Sequence, residues 1–338
     1  MKIAILANSP SSLQRWENES LSDQSVENTA SQVSSALAEN GHQTVVLLVD
    51  DNPEKLISSL KFHNPEVVFN LCETIGGDST LEPAVPYLLK WLRIPFTGNG
   101  PEALALAFDK PRAKIFLQAS DFPTPEFLPI LQEGQIKLWN NWPAILKPAQ
   151  EDASLGIDEG SVVTDFSQAI SRFKLLEAKF GTPILMESYI NGREINAAVL
   201  ETPTGLKVGL NEIDFSTLPA NKPKIVTYEA KWLEDSLYFK ATPVKSPALI
   251  DEPLNTQIRE LAKSVFQAFD LSGYARVDFR ISESGKPFIL EINPNPDFSQ
   301  DAGFARSLSE MGLSYSDAAE IQINMALRKF SQNNIKRI

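Results

Sequence analysis

The chain has 338 residues with 43% hydrophobic content, enough for two or three subdomains around substantial cores. A net charge of -12 disfavours a nucleic-acid surface or an anionic membrane as partner. The lone Cys72 excludes an internal disulfide. Two histidines, His42 and His63, leave no zinc cluster and little room for a Ser/His or Cys/His hydrolase, so any metal is expected to be held by oxygen.

The N-terminus enters a strand-like run, Lys2 to Asn8, with no signal-like apolar region, and no apolar run approaches membrane-spanning length; a cytoplasmic protein is expected. Val26, Ala30, Val33 and Leu37 recur at helical spacing before Gly41, a helix stop. A strand from Gln43 to Val49, a helix near Pro53 to Phe62, a strand from Val67 to Asn70 and a helix near Leu81 to Leu92 continue the alternation of a small doubly wound α/β unit. The turn-rich Pro95 to Pro101 breaks the pattern, and a helical segment carrying Asp109-Lys110 runs towards Ser120. An α+β pattern follows, with strands at Glu126 to Leu131, Ala144 to Lys147, Gly160 to Val163 and Ile184 to Ser188, and a helix from Phe166 to Phe180. Beyond it lie a strand from Glu194 to Glu201, further strands, helices near Glu252 to Phe269 and Tyr315 to Phe330, and a hairpin between these two helices.

That hairpin carries the most chemistry. Tyr274 to Ile281 and Pro287 to Asn293 alternate apolar and polar residues around a polar turn, as antiparallel strands do. With Ile281 facing Phe288, Asp278 lies opposite Glu291 and Arg276 opposite Asn293, while Ala275, Val277, Phe279, Leu290 and Ile292 share the core face. Two carboxylates with Cβ atoms ~5 Å apart repel unless a positive charge lies between them. A Mg²⁺ ion, which favours carboxylate and amide oxygens and shares its shell with substrate phosphates, suits that place. A solvated face whose acids pair with Arg276 and Arg280 suits it equally.

Three other segments add context. After the strand ending at Lys147 comes a small, polar, glycine-containing loop up to Ile157, fit either to lie over phosphates with Lys147 as a fixed charge or to be a plain hairpin loop. It lacks the Walker pattern, and no GxGxxG occurs. Ile184 to Leu200 reads as two strands joined by a connector. Glu187 or a connector carbonyl can accept from an adenine amino group, Tyr189 and Ile190 can wall the ring, and Glu194 can accept from ribose hydroxyls; a surface hairpin with solvated acids is the plainer reading. Thr227 to Trp232 reads as a flexible segment over a ligand or as a loop. Cys72 lies at the carboxyl end of a buried strand, where open α/β sheets bind ligands, but no histidine stands by to make its thiolate.

Taken in order, Asp109-Lys110, Lys147-Pro148 with its loop, Glu187 to Glu194, Tyr228 to Trp232, Arg276-Val277-Asp278 and Glu291-Ile292-Asn293 resemble the ATP-grasp superfamily, and within it the D-alanine:D-alanine ligases. The similarity runs from about Val67 to Asn295, and the first 60 residues match only in their α/β plan. The resemblance implies an α/β and α+β chain in three parts: an N-terminal domain over 1–105, a central ATP-grasp subdomain over 106–188, and a C-terminal one over 189–338 with the metal and substrate site.

It further implies an ATP- and Mg²⁺-dependent ligase, with Mn²⁺ able to substitute. Lys110, Lys147 and Ser154 would hold phosphates, Glu187 with the Tyr189 and Ile190 backbone would hold adenine, Glu194 the ribose, and Leu290 would complete the nucleotide set. Asp278, Glu291 and Asn293 would bind two Mg²⁺ ions, with Glu291 bridging them. Lys231 would reach the terminal phosphate, and Arg276 would neutralise charge on an acyl phosphate and a tetrahedral intermediate. Small carboxylate and amine substrates are the implied partners, together with a second copy of the chain.

The chain departs from the family where a glutamate, a serine and a tyrosine close the site. Gln24, Ala153 and Trp232 stand there, with Asp23 and Glu27 flanking the first. The stretch after the metal asparagine is also altered, to Pro294-Asn-Pro-Asp-Phe298, which removes the usual cradle for the carboxylate of a second D-alanine. The expected activity is therefore amide formation between amino acids, or between an amino acid and another small acid. Ligation of two D-alanines, a non-catalytic nucleotide-binding regulator and modification of a protein terminus are the alternatives.

Overall fold

The structure, a computed structural model, describes residues 1–9 and 19–335, with side chains given from 26 to 332 in the second stretch. Strands β1 (Lys2–Asn8), β2 (Gln43–Val49) and β3 (Val67–Asn70) form a parallel sheet in the order β2-β1-β3. β1 is buried along nearly its whole length, as a strand with both faces covered must be. The helix Pro53–His63 shows how local chemistry sets the boundaries. Asn52 caps its start by accepting from the Glu54 and Lys55 amides, Pro53 follows, and Asn64 in the left-handed region (φ 47°) ends it.

Strands β4 (Phe127–Ile130), β5 (Ala144–Pro148), β6 (Val162–Val163) and β7 (Ile184–Ser188) form an antiparallel sheet in the order β4-β7-β5-β6. Its core packs Leu146, Met186 and Ile184 against Phe173 and Leu176 of the helix Phe166–Phe180. Strands β8 (Gly192–Thr202), β9 (Gly205–Ile213), β10 (Val244–Lys245), β11 (Tyr274–Ser282) and β12 (Pro287–Asn293) form a third sheet in the order β10-β9-β8-β11-β12. Ala275, Val277 and Phe279 of β11 meet Ile258, Ala262 and Val265 of the helix Leu254–Ala268 in one core. A side chain such as Phe279, with no exposed surface, stabilises by roughly 1.5–3 kcal/mol through burial alone. A further core joins Ile3 and Ile5 of β1 to Leu200, Tyr274, Phe298 and Ile323, so the parallel sheet is tied to the C-terminal part of the chain. Among the described residues no helix is long and apolar enough to cross a membrane.

Two expectations are corrected. Arg276, Val277 and Asp278 pair with Asn293, Ile292 and Glu291 as the alternation required, but Phe279 then pairs with Ile289, and Ile281 with Pro287 rather than Phe288. Leu290 is thus a bulge residue. Ile289 takes the core place expected of Leu290, which instead lines a small cleft with Lys110, Lys114 and Glu291. The cause is remote: the Ile289 amide donates to the Pro123 carbonyl (2.8 Å) and its own carbonyl accepts from Thr124 Oγ1 (2.9 Å). The helical segment before Ser120 is also two helices, Pro101–Phe108 and Lys110–Ala119, because Asp109 leaves helical geometry and accepts from the Arg112 amide (3.0 Å).

Candidate active site

Three cationic side chains enter one region from two elements. Lys110 and Lys114 are one helical turn apart on the buried face of the helix Lys110–Ala119, and Lys147 is near the end of β5. Glu187, on the neighbouring β7, lies with one carboxylate oxygen 2.6 Å from the Lys114 ammonium and the other 2.6 Å from that of Lys147. Burial works against the charge of Glu187, but the two ammoniums outweigh it and hold its carboxyl below the usual range. Burial, together with nearby Lys147, pushes Lys114 down to about 8 against the pull of Glu187.

The loop after β5 is held at both ends. Lys110 donates to the Glu151 carbonyl and pairs with Asp152 at 2.9 Å. At the far end the buried Arg172 grips both oxygens of Asp158 (2.9 Å each), the Gly156 carbonyl and Ser161 Oγ (2.7 Å each). Ala153 (φ 54°) and Ser154 (φ 61°) are left-handed, and Gly156 (φ 72°) has no room for a Cβ, which would stand 2.7 Å from Pro148 and Phe180. Successive residues in such conformations can present backbone amides to an anion.

The segment Tyr228–Trp232, read from sequence as flexible or loop, is a short helix capped by Thr227. It docks on the loop: the Tyr228 amide donates to the Ile157 carbonyl (3.0 Å), and the Trp232 indole donates to the Ala153 carbonyl (3.2 Å). Gln24 lies in the helix Glu19–Glu39, but its side chain falls outside the described residues.

The connector between β7 and β8 holds Tyr189 and Ile190, both half-buried. The Tyr189 amide is engaged by the Pro143 carbonyl (3.0 Å). Glu194, at the start of β8, pairs with Arg280 at 2.8 Å; burial raises its carboxyl, and the negative charges of Asp278 and Glu291 add to the rise.

On β11, Arg276 holds both oxygens of Asp278 (2.7 and 2.8 Å), and Asn196 donates to one of them (2.8 Å). Opposite Asp278 on β12, Glu291 has no hydrogen-bond or ion-pair partner among the described residues. Burial opposes its charge, yet Lys110, Lys147, Lys231 and Arg276 around it draw its carboxyl down to about 2. Burial and Arg276 together lower Lys231. Asn293 Oδ1 accepts from the Asn295 amide at 3.0 Å.

The oxygen donors fit a hard cation. A carboxylate offers about four acceptor sites; Arg276 and Asn196 use three on Asp278, and Glu291 has all of its own free. Of the hairpin's two acids, Asp278 is paired with Arg276 while Glu291 is open, and Arg280 pairs instead with Glu194 of β8.

The structure brings Lys110, Lys147, Lys231, Arg276, Asp278 and Glu291 within one electrostatic neighbourhood. Sequence reasoning did not single out Lys114, Asn196 or Arg172. For Lys114 a signal existed: Lys110, Ala113, Lys114 and Leu117 follow helical spacing, and the apolar pair marks that face as buried.

A family model described as "D-ala D-ala ligase C-terminus" matches residues 116–324. The chain belongs to this D-alanine–D-alanine ligase family of ATP-grasp enzymes. It is 32% identical to the uncharacterized protein y4sG of Sinorhizobium fredii, over 90% of this chain and 89% of that one. It is 29% identical to a D-alanine--D-alanine ligase of Acetivibrio thermocellus, over 83% of this chain and 73% of that one. Its fold matches the crystal structure of D-alanine--D-alanine ligase from Bacillus anthracis complexed with ATP, at TM-score 0.75 and 18% identity, covering 98% of this chain and 99% of that one. The three-sheet architecture is thus the ATP-grasp ligase fold of the family.

Proposed function

We propose that this family member joins a small carboxylic acid to an amine, one or both being amino acids, at the expense of ATP and with Mg²⁺ bound, and that its natural pair is not two D-alanines. The observation that carries the ligase reading is Glu291. It is an open carboxylate opposite Asp278, surrounded by four cations that are suited to a polyphosphate.

In this reading Lys110, Lys147 and Ser154 bind phosphates, with the strained loop supplying amides. The Tyr189 carbonyl, the Ile190 amide and the remaining acceptor sites of Glu187 meet the adenine edge, Glu194 the ribose and Leu290 the base. Asp278, Glu291 and Asn293 hold the metal. Bound there, two ions would neutralise phosphate charge and fix the terminal phosphate in line with its attacker.

The substrate carboxylate oxygen attacks the γ-phosphorus, and the bond to the ADP oxygen breaks. The amine nitrogen then attacks the acyl carbon, phosphate leaves with its bridging oxygen, and the nitrogen loses a proton. Lys231 steadies the transferred phosphate and Arg276 the charge on the acyl centre, so positioning and charge supply the catalysis without a protein nucleophile. The helix Tyr228–Trp232, docked on the loop, keeps water from the anhydride.

The substrate preference rests on the surroundings of Asn295. Its amide group donates to the Cys72 carbonyl (3.1 Å) and to Glu82 (3.0 Å), and Asp297 follows two residues later, with its carboxylate accepting from the Ser299 amide. The negative charge of Asp297 in this stretch disfavours the carboxylate of a second D-alanine. A matrix of amino acids and carboxylates, scored for ATP-dependent phosphate release with products identified by mass, tests the reading. Strong turnover with D-alanine alone would contradict the preference.

We read 1–105, 106–188 and 189–338 as the three working units. We further propose a homodimer, supported by Tyr87 and Trp91, which are one turn apart and 51% and 83% exposed on the helix Ala84–Leu92; sedimentation tests it.

A further inference from the structure

Lys114 has no role in the reading above, yet it is the most deeply buried of the three lysines, with 2% of its side chain exposed against 7% for Lys110 and 8% for Lys147. An ammonium has three donors. Those of Lys114 face Glu187 (2.6 Å), Thr124 Oγ1 (2.8 Å) and the Ile289 carbonyl (3.1 Å), so protein groups take all three and none is left for a ligand. Lys147 is different. Among the described residues its partner is Glu187 alone, which leaves two donors.

The charges give this difference a consequence. One buried carboxylate lies between two ammoniums, and the trio carries a surplus of one positive charge. Without Lys114, Glu187 and Lys147 would be a closed neutral pair in a low-dielectric site, where such a pair holds tightly. A phosphate would then have to compete with Glu187 for Lys147.

We infer that Lys114 is a positioning residue that occupies Glu187 so that Lys147 keeps an uncompensated charge and free donors for ATP phosphate. Its bond to the Ile289 carbonyl, next to the Leu290 bulge, also ties this cluster to the strand that presents Glu291. The inference rests on the ATP-binding reading proposed above.

The test is calorimetric binding of ATP and of adenosine to the full chain, with thermal melting as the check on folding. Lys114→Met keeps the buried stem and leaves Glu187 paired with Lys147. It should weaken ATP by about tenfold or more while adenosine changes less than about twofold, because only phosphate draws on Lys147. The double variant Lys114→Met/Glu187→Gln removes the carboxylate that captures Lys147, so the ratio of ATP to adenosine affinity should return towards wild type.

Unchanged ATP affinity in Lys114→Met, an equal loss for ATP and adenosine, or a double variant no better than the single one would each overturn the inference. Should Lys114→Met not fold, the double variant decides: a wild-type affinity ratio supports the inference, and a ratio as poor as that expected of the single variant overturns it. Wild-type protein that binds neither ligand would overturn the ATP-binding reading as well, which separates the two failures.

Discussion

Glu187 and Glu291 are both carboxylates kept charged by nearby lysines, and they differ in one respect. Glu187 is 1% exposed and has an ammonium 2.6 Å from each oxygen, whereas Glu291 is half-buried among four cations and bonded to none of the described residues. A satisfied buried charge orients its neighbours; an open one in a cationic setting awaits a ligand. On the proposed reading Glu187 chiefly holds the lysines in place, keeping its remaining acceptor sites for adenine, and Glu291 serves the metal and phosphate chemistry.

The largest effect is expected at Glu291. Glu291→Gln should cost roughly a thousandfold or more in ligase turnover, the scale of losing a central electrostatic group, and the protein should keep its circular dichroism spectrum. Turnover near wild type would break the comparison, since Glu291 would then be no more than a solvated acid. Next comes Lys114→Met, whose selective loss of ATP affinity sharpens the role given to Glu187.

A smaller effect is expected at the docked helix. Trp232→Phe keeps a ring but loses the bond to the Ala153 carbonyl. One such bond is worth about 0.5–1.5 kcal/mol, so the fraction of ATP hydrolysed without product should rise about twofold to tenfold. The measurement is the ratio of phosphate released to amide formed, and an unchanged ratio would show that this contact does not exclude water.

The smallest concerns a carboxyl outside the pair. Burial raises Glu82 well above the ordinary carboxylate range, and nearby Asp152 and Glu73 add to it, against its hydrogen bond from Asn295. Between its unfolded and folded values the native state binds the extra proton, so native stability falls as pH rises through that window. Glu82→Gln keeps an acceptor for Asn295 and removes the slope. Its stability advantage in urea melts should therefore be small at pH 4 and grow towards pH 8; an advantage independent of pH would contradict the assignment.

Much of this was legible in the sequence where a local pattern governs. β1, β2, β3, β7 and the helix Phe166–Phe180 begin and end where alternation, helical spacing and stop residues placed them. The opposition of Asp278 and Glu291 followed from strand period alone. The bulge at Leu290 did not, because it depends on Pro123 and Thr124, far away in the chain, capturing the backbone of Ile289. Lys114 was hidden for a related reason: lysine ordinarily marks a surface, and only the Glu187 carboxylate on another element makes its burial tolerable. The short helix at Tyr228–Trp232 is stabilised by docking on the loop, which no five-residue pattern reveals.

The acyl-phosphate ligase itself is tested most directly by isotope transfer. With the carboxylate substrate found in the matrix labelled with ¹⁸O in both oxygens, turnover with unlabelled ATP and the amine should release phosphate carrying one ¹⁸O, inherited from the carboxylate. Phosphate free of label, formed alongside the amide, would contradict the mechanism.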